Sequence, residues 1–402
     1  MLKSFFQNKK MLSILCVSLL LCGCTNNSAD IPATADANPS TAEPSATTAT
    51  SKVEEFDYGE YLETGGEVAL VTGGGLVMDN GFNQSALEGI KSYSNAAGVS
   101  YSYYGAAEET AAAYEQVVIH AIENNATLVV CAGFHFEQVI GSLQNKYPHI
   151  SFLLIDSVPK DAEGNTVPIA ENVFCITYHE EESGYLAGYM CVLDGFRHFG
   201  FIGGEQLDSV ERFGYGYLQG IEAAAKALSV TDDISVEYWY AGTFLPSEEI
   251  EEKSMEWYKN GTEIIFACGG SLYQSVLASA EKCDGMLIGV DVDQSSLSPR
   301  FITSAVKGIQ PSIVSALDEY YASGKKWSAQ MGGTFISYGS SNKGIQLPIS
   351  KSAWRFENVT FEEYFQVFDR MHAGKLLVSD DLSMPPETTF AVNYHNPLIL
   401  SQ

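Results

Sequence analysis

Short apolar runs recur along the chain, and helical patterns separate them. Val68–Thr72, Leu128–Ala132, Phe152–Asp156 and Asn172–Ile176 come first. Phe199–Ile202, Val236–Tyr240, Ile264–Cys268, Met286–Val290 and Phe301–Ser304 follow. Several are apolar almost throughout, the pattern of parallel strands covered on both faces. Between them, Tyr114, Val117, Val118, Ala121 and Ile122 fall on one face of a helix. Leu87, Ile90 and Ala97 mark another helix, with Gly98 as its C-terminal stop. Such alternation builds βαβ units and doubly wound sheets. The strands outnumber what one compact sheet needs. The expected fold is therefore α/β: two doubly wound parallel-sheet lobes joined by a hinge and facing a cleft.

The beginning of the chain has a different pattern. Lys3, Lys9 and Lys10 precede Met11–Leu21, an apolar stretch too short to span a bilayer comfortably. This is the form of an export signal. It runs into Leu21-Cys22-Gly23-Cys24, which resembles the bacterial lipobox, where Cys24 would be lipidated and become the mature N-terminus. Asn26–Ser51 is rich in Ala, Thr, Ser and Pro and cannot bury enough surface to offset its ordering entropy. The expected layout is a signal peptide over 1–23 and a flexible tether over 24–64. One lobe is expected over 65–177 plus 308–335, and the other over 178–307 plus 336–402.

Composition narrows the function. In 402 residues, 46% hydrophobic content and 18% charge exclude wholesale disorder. The formal charge of −28 argues against nucleic acid, whose phosphates need clustered Lys and Arg. Cys131, Cys175, Cys191, Cys268 and Cys283 form an odd set without CxxC spacing, and the three in strand-like runs suit small buried hydrophobes. One disulfide among the five is compatible with the sequence but not required by it.

In open α/β sheets, ligands gather at the carboxyl ends of strands, so the residues after each apolar run carry the functional signal. After the first come Thr72-Gly-Gly-Gly75 and Met78-Asp79-Asn80-Gly81-Phe82-Asn83-Gln84. The glycines match neither a dinucleotide fingerprint nor a P-loop, and Asn83 is placed to cap the following helix. Asp156 ends another strand, Gly269-Gly270 follow Ala267-Cys268, and Asp291 and Asp293 end Gly289–Gln294. The Asp-x-Asp spacing lacks the glycine and closing Glu of an EF-hand loop, so no metal is expected. Lys307 ends a strand, and Phe213 starts a helix on the lobe opposite Phe82. Singly, each suits a capped turn. Together they make one pocket, with two aromatics to sandwich a flat ring and carboxylates, an amide and a lysine to take its polar groups. That chemistry suits a nucleoside without phosphate.

These residues resemble the basic membrane protein family of bacterial lipoproteins, nucleoside-binding components of ABC importers with the type I periplasmic-binding fold. The resemblance is carried by Asp79-Asn-Gly-Phe-Asn83, Phe152–Asp156, Glu182-Ser-Gly-Tyr-Leu-Ala-Gly188 and Gly203-Gly204. It continues in Arg212-Phe-Gly-Tyr-Gly216, Gly289-Val-Asp-Val-Asp-Gln294 and Thr303–Lys307. It implies that Phe82 and Phe213 sandwich the base and that Asn83 and Asp156 bond its edge. Asp79, Asp291 and Lys307 would hold the ribose hydroxyls, with the Gly269-Gly270 backbone approaching closely. It further implies a monomer tethered by lipid at Cys24 to the extracytoplasmic face of the cell membrane, delivering a purine nucleoside to a permease and its ATPase.

An enzyme would need machinery that the sequence lacks. His179-Glu180 is not followed by a second His at zinc spacing, and no G-x-S-x-G occurs. His120, His135, His149, His179 and His198 are read as surface or helix-packing residues, and no cofactor is expected. A ligand sensor, or a sugar or autoinducer binder on the same fold, would use the same cleft.

Overall fold

The computed structural model describes residues 65–73 and 76–396. The signal peptide, the tether, Cys24 and the glycines at 74 and 75 lie outside those residues. The chain opens with β1 (Val68–Thr72), α1 (Phe82–Ala97), β2 (Tyr101–Gly105), α2 (Ala111–Glu123), β3 (Leu128–Ala132), α3 (Glu137–Leu143), β4 (Ser151–Ile155) and β5 (Val173–Tyr178). It continues through α4 (Glu180–Asp194), β6 (His198–Gly203), α5 (Asp208–Leu228), β7 (Ser235–Tyr240), α6 (Glu248–Lys259), β8 (Ile264–Cys268), α7 (Tyr273–Cys283), β9 (Met286–Asp291) and β10 (Phe301–Lys307). Last come α8 (Ile309–Ala322), β11 (Thr334–Tyr338), β12 (Ile345–Gln346), α9 (Phe361–His372) and β13 (Ala391–Tyr394).

All nine apolar runs are strands, and they sort into two sheets. The first has the order β11-β5-β4-β3-β1-β2, and the second β12-β10-β9-β8-β6-β7-β13. Pairing is parallel throughout except where the two-residue β12 runs against β10. The chain passes between sheets after Tyr178, after Lys307 and after Tyr338.

Alternation along each strand explains why both of its faces are apolar. Val68 and Leu70 pack toward α1 and α8, whereas Ala69 and Val71 pack toward α2 and α3. In the second sheet Phe201 and Phe266 meet α4 and α5, whereas Ile202 and Ile265 meet α6 and α7. A strand buried on both sides has no polar face to show.

Two glycine pairs set the closest helix contact. A Cβ on Gly184 would run into the Phe213 carbonyl oxygen, and one on Gly216 into the Glu181 carbonyl oxygen. Gly188 and Gly220 repeat the arrangement one turn on, against Tyr217 and Tyr185. Without side chains at these positions, α4 and α5 touch backbone to backbone. The contact fixes where α4 begins relative to Arg212 and Phe213.

Gly98 adopts the left-handed conformation expected of a helix stop, with φ of 69°. Asn83 does not cap α1 as expected. The helix starts one residue earlier, at Phe82, and Asp79 supplies the cap. The five cysteines of the described residues are free. Cys131, Cys175 and Cys268 are buried in strands.

Candidate ligand-binding cleft

A cleft with a cavity volume of about 110 Å³ opens between the sheets. The structure brings Asp79, Phe82, Asn83, Asp156, Phe213, Gly269, Gly270, Asp291 and Lys307 together on its walls. Strand ends and helix starts deliver all of them. Asp156 and Asp291 follow or end their strands at φ of 69° and 65°. Non-glycine residues adopt that left-handed backbone at a cost, and here it turns two carboxylates off the sheet edge into one space.

Lys307 is the centre of the cleft floor. Its Nζ lies 2.9 Å from Asp156 Oδ2 and 3.4 Å from both Asp291 Oδ1 and Glu180 Oε1. The same ammonium stands 5.2 Å from the ring centroids of Phe82 and Phe213, and 5.5 Å from that of Tyr178. The two phenylalanine centroids are thus at most 10.4 Å apart, twice 5.2 Å. Burial works against the charge of Lys307, but Asp156, Asp291 and Glu180 outweigh it and hold its pKa well above the usual value. Burial likewise pushes Asp291 upward, opposed by Lys307. For Asp156 the balance is reversed: burial would raise it, and Lys307 pulls it below the ordinary carboxylate value. Lys307 therefore stands between Asp156, expected at a base edge, and Asp291, expected at ribose hydroxyls.

Asp79 has a structural role beside any ligand role. Its Oδ1 accepts from the backbone N–H of Gly81 at 2.8 Å and Gln84 at 3.2 Å, and its Oδ2 from Asn83 at 3.1 Å. These bonds satisfy orphan donors at the start of α1 and hold Phe82 at the cleft wall. Burial nevertheless raises the Asp79 pKa to about 6.

Residues not singled out from the sequence complete the walls. Phe134 and His135 follow β3, and Phe244 follows β7. His135, expected as a surface or helix-packing residue, packs on Tyr114 of α2 with ring centroids 4.7 Å apart and also lines the cleft beside Phe134, at 3.9 Å. Burial lowers its pKa to about 4, so it is a neutral imidazole at pH 7. Gly204, Gly269 and Gly270 leave the room that the Phe244 ring occupies. Below the floor, Glu180 is fully buried and accepts from Arg212 Nε at 2.6 Å. Among the described residues, no cluster of His, Cys, Asp and Glu is arranged to hold a metal ion, and no helix is long and apolar enough to cross a membrane.

Two α/β lobes with a lined cleft between them form the architecture of a solute-binding protein. Solved structures agree on the fold. The chain superposes on an ABC transporter solute-binding protein from Aeropyrum pernix with a TM-score of 0.64 and 18% identity, covering 78% of this chain and 94% of that one. A second, from Conexibacter woesei, gives 0.59 and 22% over 78% and 98%. Residues 67–370 match the Bmp family, described as PnrA-like ABC transporter substrate-binding proteins. The chain belongs to that family, which is one of substrate-binding proteins and not of enzymes. It is 27% identical to the ABC transporter nucleoside-binding protein BmpA of Lactococcus lactis subsp. cremoris, over 79% of this chain and 90% of the relative. Basic membrane protein B of Borreliella burgdorferi is also 27% identical, over 63% and 70%.

Proposed function

We propose that the protein captures a nucleoside, preferentially a purine nucleoside, and delivers it to an ABC permease, held to the extracytoplasmic membrane face by lipid at Cys24. The observation that carries the ligand class is the pair of rings, Phe82 from one lobe and Phe213 from the other, lining one cleft beside Lys307, Asp156 and Asp291. A flat base stacks on aromatic faces, at about 1–3 kcal/mol per base, whatever its hydrogen-bonding edge. Asn83 and Asp156 take that edge, while Asp79, Asp291 and Lys307 take the sugar hydroxyls. The floor favours hydroxyl donors over phosphate, because the Lys307 ammonium is already surrounded by carboxylates. The similarity to a relative named as nucleoside-binding supports the same reading.

Thermal melting of residues 52–402 against nucleosides, bases, nucleotides and sugars tests it. A ligand at 100 times its Kd stabilises the native state by about 2.7 kcal/mol. Guanosine, inosine or adenosine shifts the melt, and ribose does not. A shift with sugars alone would remove the base from the account.

A further inference from the structure

Three carboxyl groups meet one ammonium at the floor of the cleft. Asp156, Glu180 and Asp291 all lie within 3.4 Å of Lys307 Nζ, and their side chains are 9%, 0% and 7% exposed. The second cation is Arg212, whose Nε bonds Glu180. Three acids against two bases leave one negative charge without a partner in a buried cluster. Burying such a charge is far more costly than protonating the group that carries it.

The position of the missing partner is also visible. Asp156 Oδ1 is buried and meets no donor when both carboxyls are ionised. Glu180 is the carboxyl that shares Lys307 Nζ with Asp156 from the other lobe, at 3.4 Å and 2.9 Å. Two carboxyl groups crowded on one ammonium repel each other when both are ionised, and a proton between them removes the repulsion.

We propose that Asp156 and Glu180 share one proton at neutral pH, and that Glu180 is thereby a positioning residue. It keeps the floor electrically balanced and Lys307 free to donate to a ligand. Asp156 hangs from β4 in the first lobe, and Glu180 opens α4, which packs in the second. The shared proton therefore also joins the lobes beside the crossing at Lys307. The charged and titratable groups facing Glu180 are Arg212 from α5, Lys307 from β10 and Asp156 after β4, with His179 beside it in sequence. Burial, with Asp156 adding to it, lifts the Glu180 carboxyl to about 8 against the pull of Arg212 and Lys307.

The first test needs no ligand. A carboxyl that keeps its proton when folded but releases it when unfolded costs stability as pH rises between the unfolded and folded pKa values. Glu180→Gln keeps a neutral donor for Asp156 and an acceptor for Arg212, so that cost vanishes. The melting temperature of Glu180→Gln therefore gains on wild type from about pH 5 to about pH 8 and runs parallel above. A gap independent of pH overturns the proposal. Asp156→Asn is the second variant, because Asn tolerates the left-handed backbone at that position and donates to Glu180 without a shared proton. It should remove the same pH dependence, and its retention in this variant overturns the proposal too. A second readout rests on the nucleoside reading. Guanosine affinity of wild type falls severalfold from pH 7 to pH 9, as a third ionised carboxylate competes for Lys307, and stays flat in Glu180→Gln. If wild type binds no nucleoside, that reading fails alone, and the ligand-free melts still decide the proton.

Discussion

Asn80 Nδ2 donates to the Tyr273 hydroxyl at 3.2 Å, tying the loop before α1 in one lobe to the start of α7 in the other. The Asn80 carbonyl oxygen accepts from Gln294 Nε2 at 3.0 Å, a second bond between the lobes from the same residue. Asn80 stands at φ of 49°, a conformation that Asn tolerates better than most residues. Neither Asn80, Tyr273 nor Gln294 lines the cleft. These residues hold the lobes together without touching what lies between them.

Removing one bond of this latch should speed release without changing selectivity. A neutral hydrogen bond contributes about 0.5–1.5 kcal/mol, so Tyr273→Phe should raise the dissociation rate of guanosine by about 2–10-fold. The ring remains packed against Phe301, with centroids 6.0 Å apart, so folding is spared. Stopped-flow displacement measures the rate. An unchanged rate would mean that the bond contributes nothing to closure.

The two stacking rings differ in what their loss should cost. Phe213 is 2% exposed and packs on Phe266, with centroids 5.9 Å apart, so its truncation damages the core as well as the cleft. Phe82 is only half-buried. Phe82→Ala should weaken nucleoside binding by about 1–3 kcal/mol, on the order of 5- to 150-fold, while the ligand-free melting temperature moves little. Calorimetric titration and melting of the same preparation separate the two effects. Equal affinity for guanosine in variant and wild type would take Phe82 out of the site.

How far the sequence could be read follows from burial. The nine strands found by their apolar runs are all interior ones, where both faces are covered. The strands missed were β2, β11, β12 and β13, all at sheet edges. Their faces are partly solvated, and residues such as Phe335 at 59% exposure break the apolar pattern. The cleft residues were legible where a polar or aromatic group directly followed a strong run, as with Asp156, Asp291 and Lys307. His135 and Phe244 obey the same rule after β3 and β7, but lie a few residues beyond the strand end. Glu180 follows β5 as the first of three consecutive acids, and the local sequence does not distinguish it from Glu181 and Glu182.

Asp79 should show its burial in the pH dependence of stability. Its pKa is raised from 3.8 to about 6, burial outweighing three backbone hydrogen bonds. A raised carboxyl favours folding at low pH and loses that contribution as pH climbs from the unfolded to the folded value. Two pKa units correspond to about 3 kcal/mol. Asp79→Asn should thus gain on wild type by up to about 3 kcal/mol between pH 4 and pH 6.5, beneath a constant loss from the weakened cap. Urea unfolding at stepped pH measures both parts. A loss in Asp79→Asn that grew as pH rose would mean that the three N–H donors win and the carboxylate is held ionised.

The glycines after β8 are required by shape. Gly269 and Gly270 sit at φ of 136° and 47°, and a Cβ on Gly269 would come within 2.6 Å of the Phe244 ring. Gly269→Ala combines backbone strain with a displaced aromatic wall, a loss of about 1–3 kcal/mol in stability. Affinity should fall with it, because Phe244 lines the cleft. Gly261→Ala is the control: its φ is 106° but nothing lies within 4 Å, so it should cost stability alone. If Gly269→Ala bound guanosine as tightly as Gly261→Ala, the close approach to Phe244 would have no bearing on the ligand.

Lys307 links stability and binding most tightly. Lys307→Met keeps the length of the side chain and its contact with the Phe82, Tyr178 and Phe213 rings, but removes the charge that Asp156, Asp291 and Glu180 share. Breaking a buried ion pair from one side costs about 3–5 kcal/mol, because the other charge is left unpaired. Here the orphaned groups are acids, so protonation relieves them. The loss should therefore be greatest near pH 8 and shrink toward pH 5, whereas loss of packing alone has no pH dependence. Guanosine binding should be lost across the range, since no other cation lines the cleft among the described residues. Denaturant unfolding at both pH values and calorimetric titration at pH 7 give the two answers. A stability loss equal at pH 5 and pH 8 would mean that the three carboxyls are already protonated around Lys307, and that the floor is held by packing rather than charge.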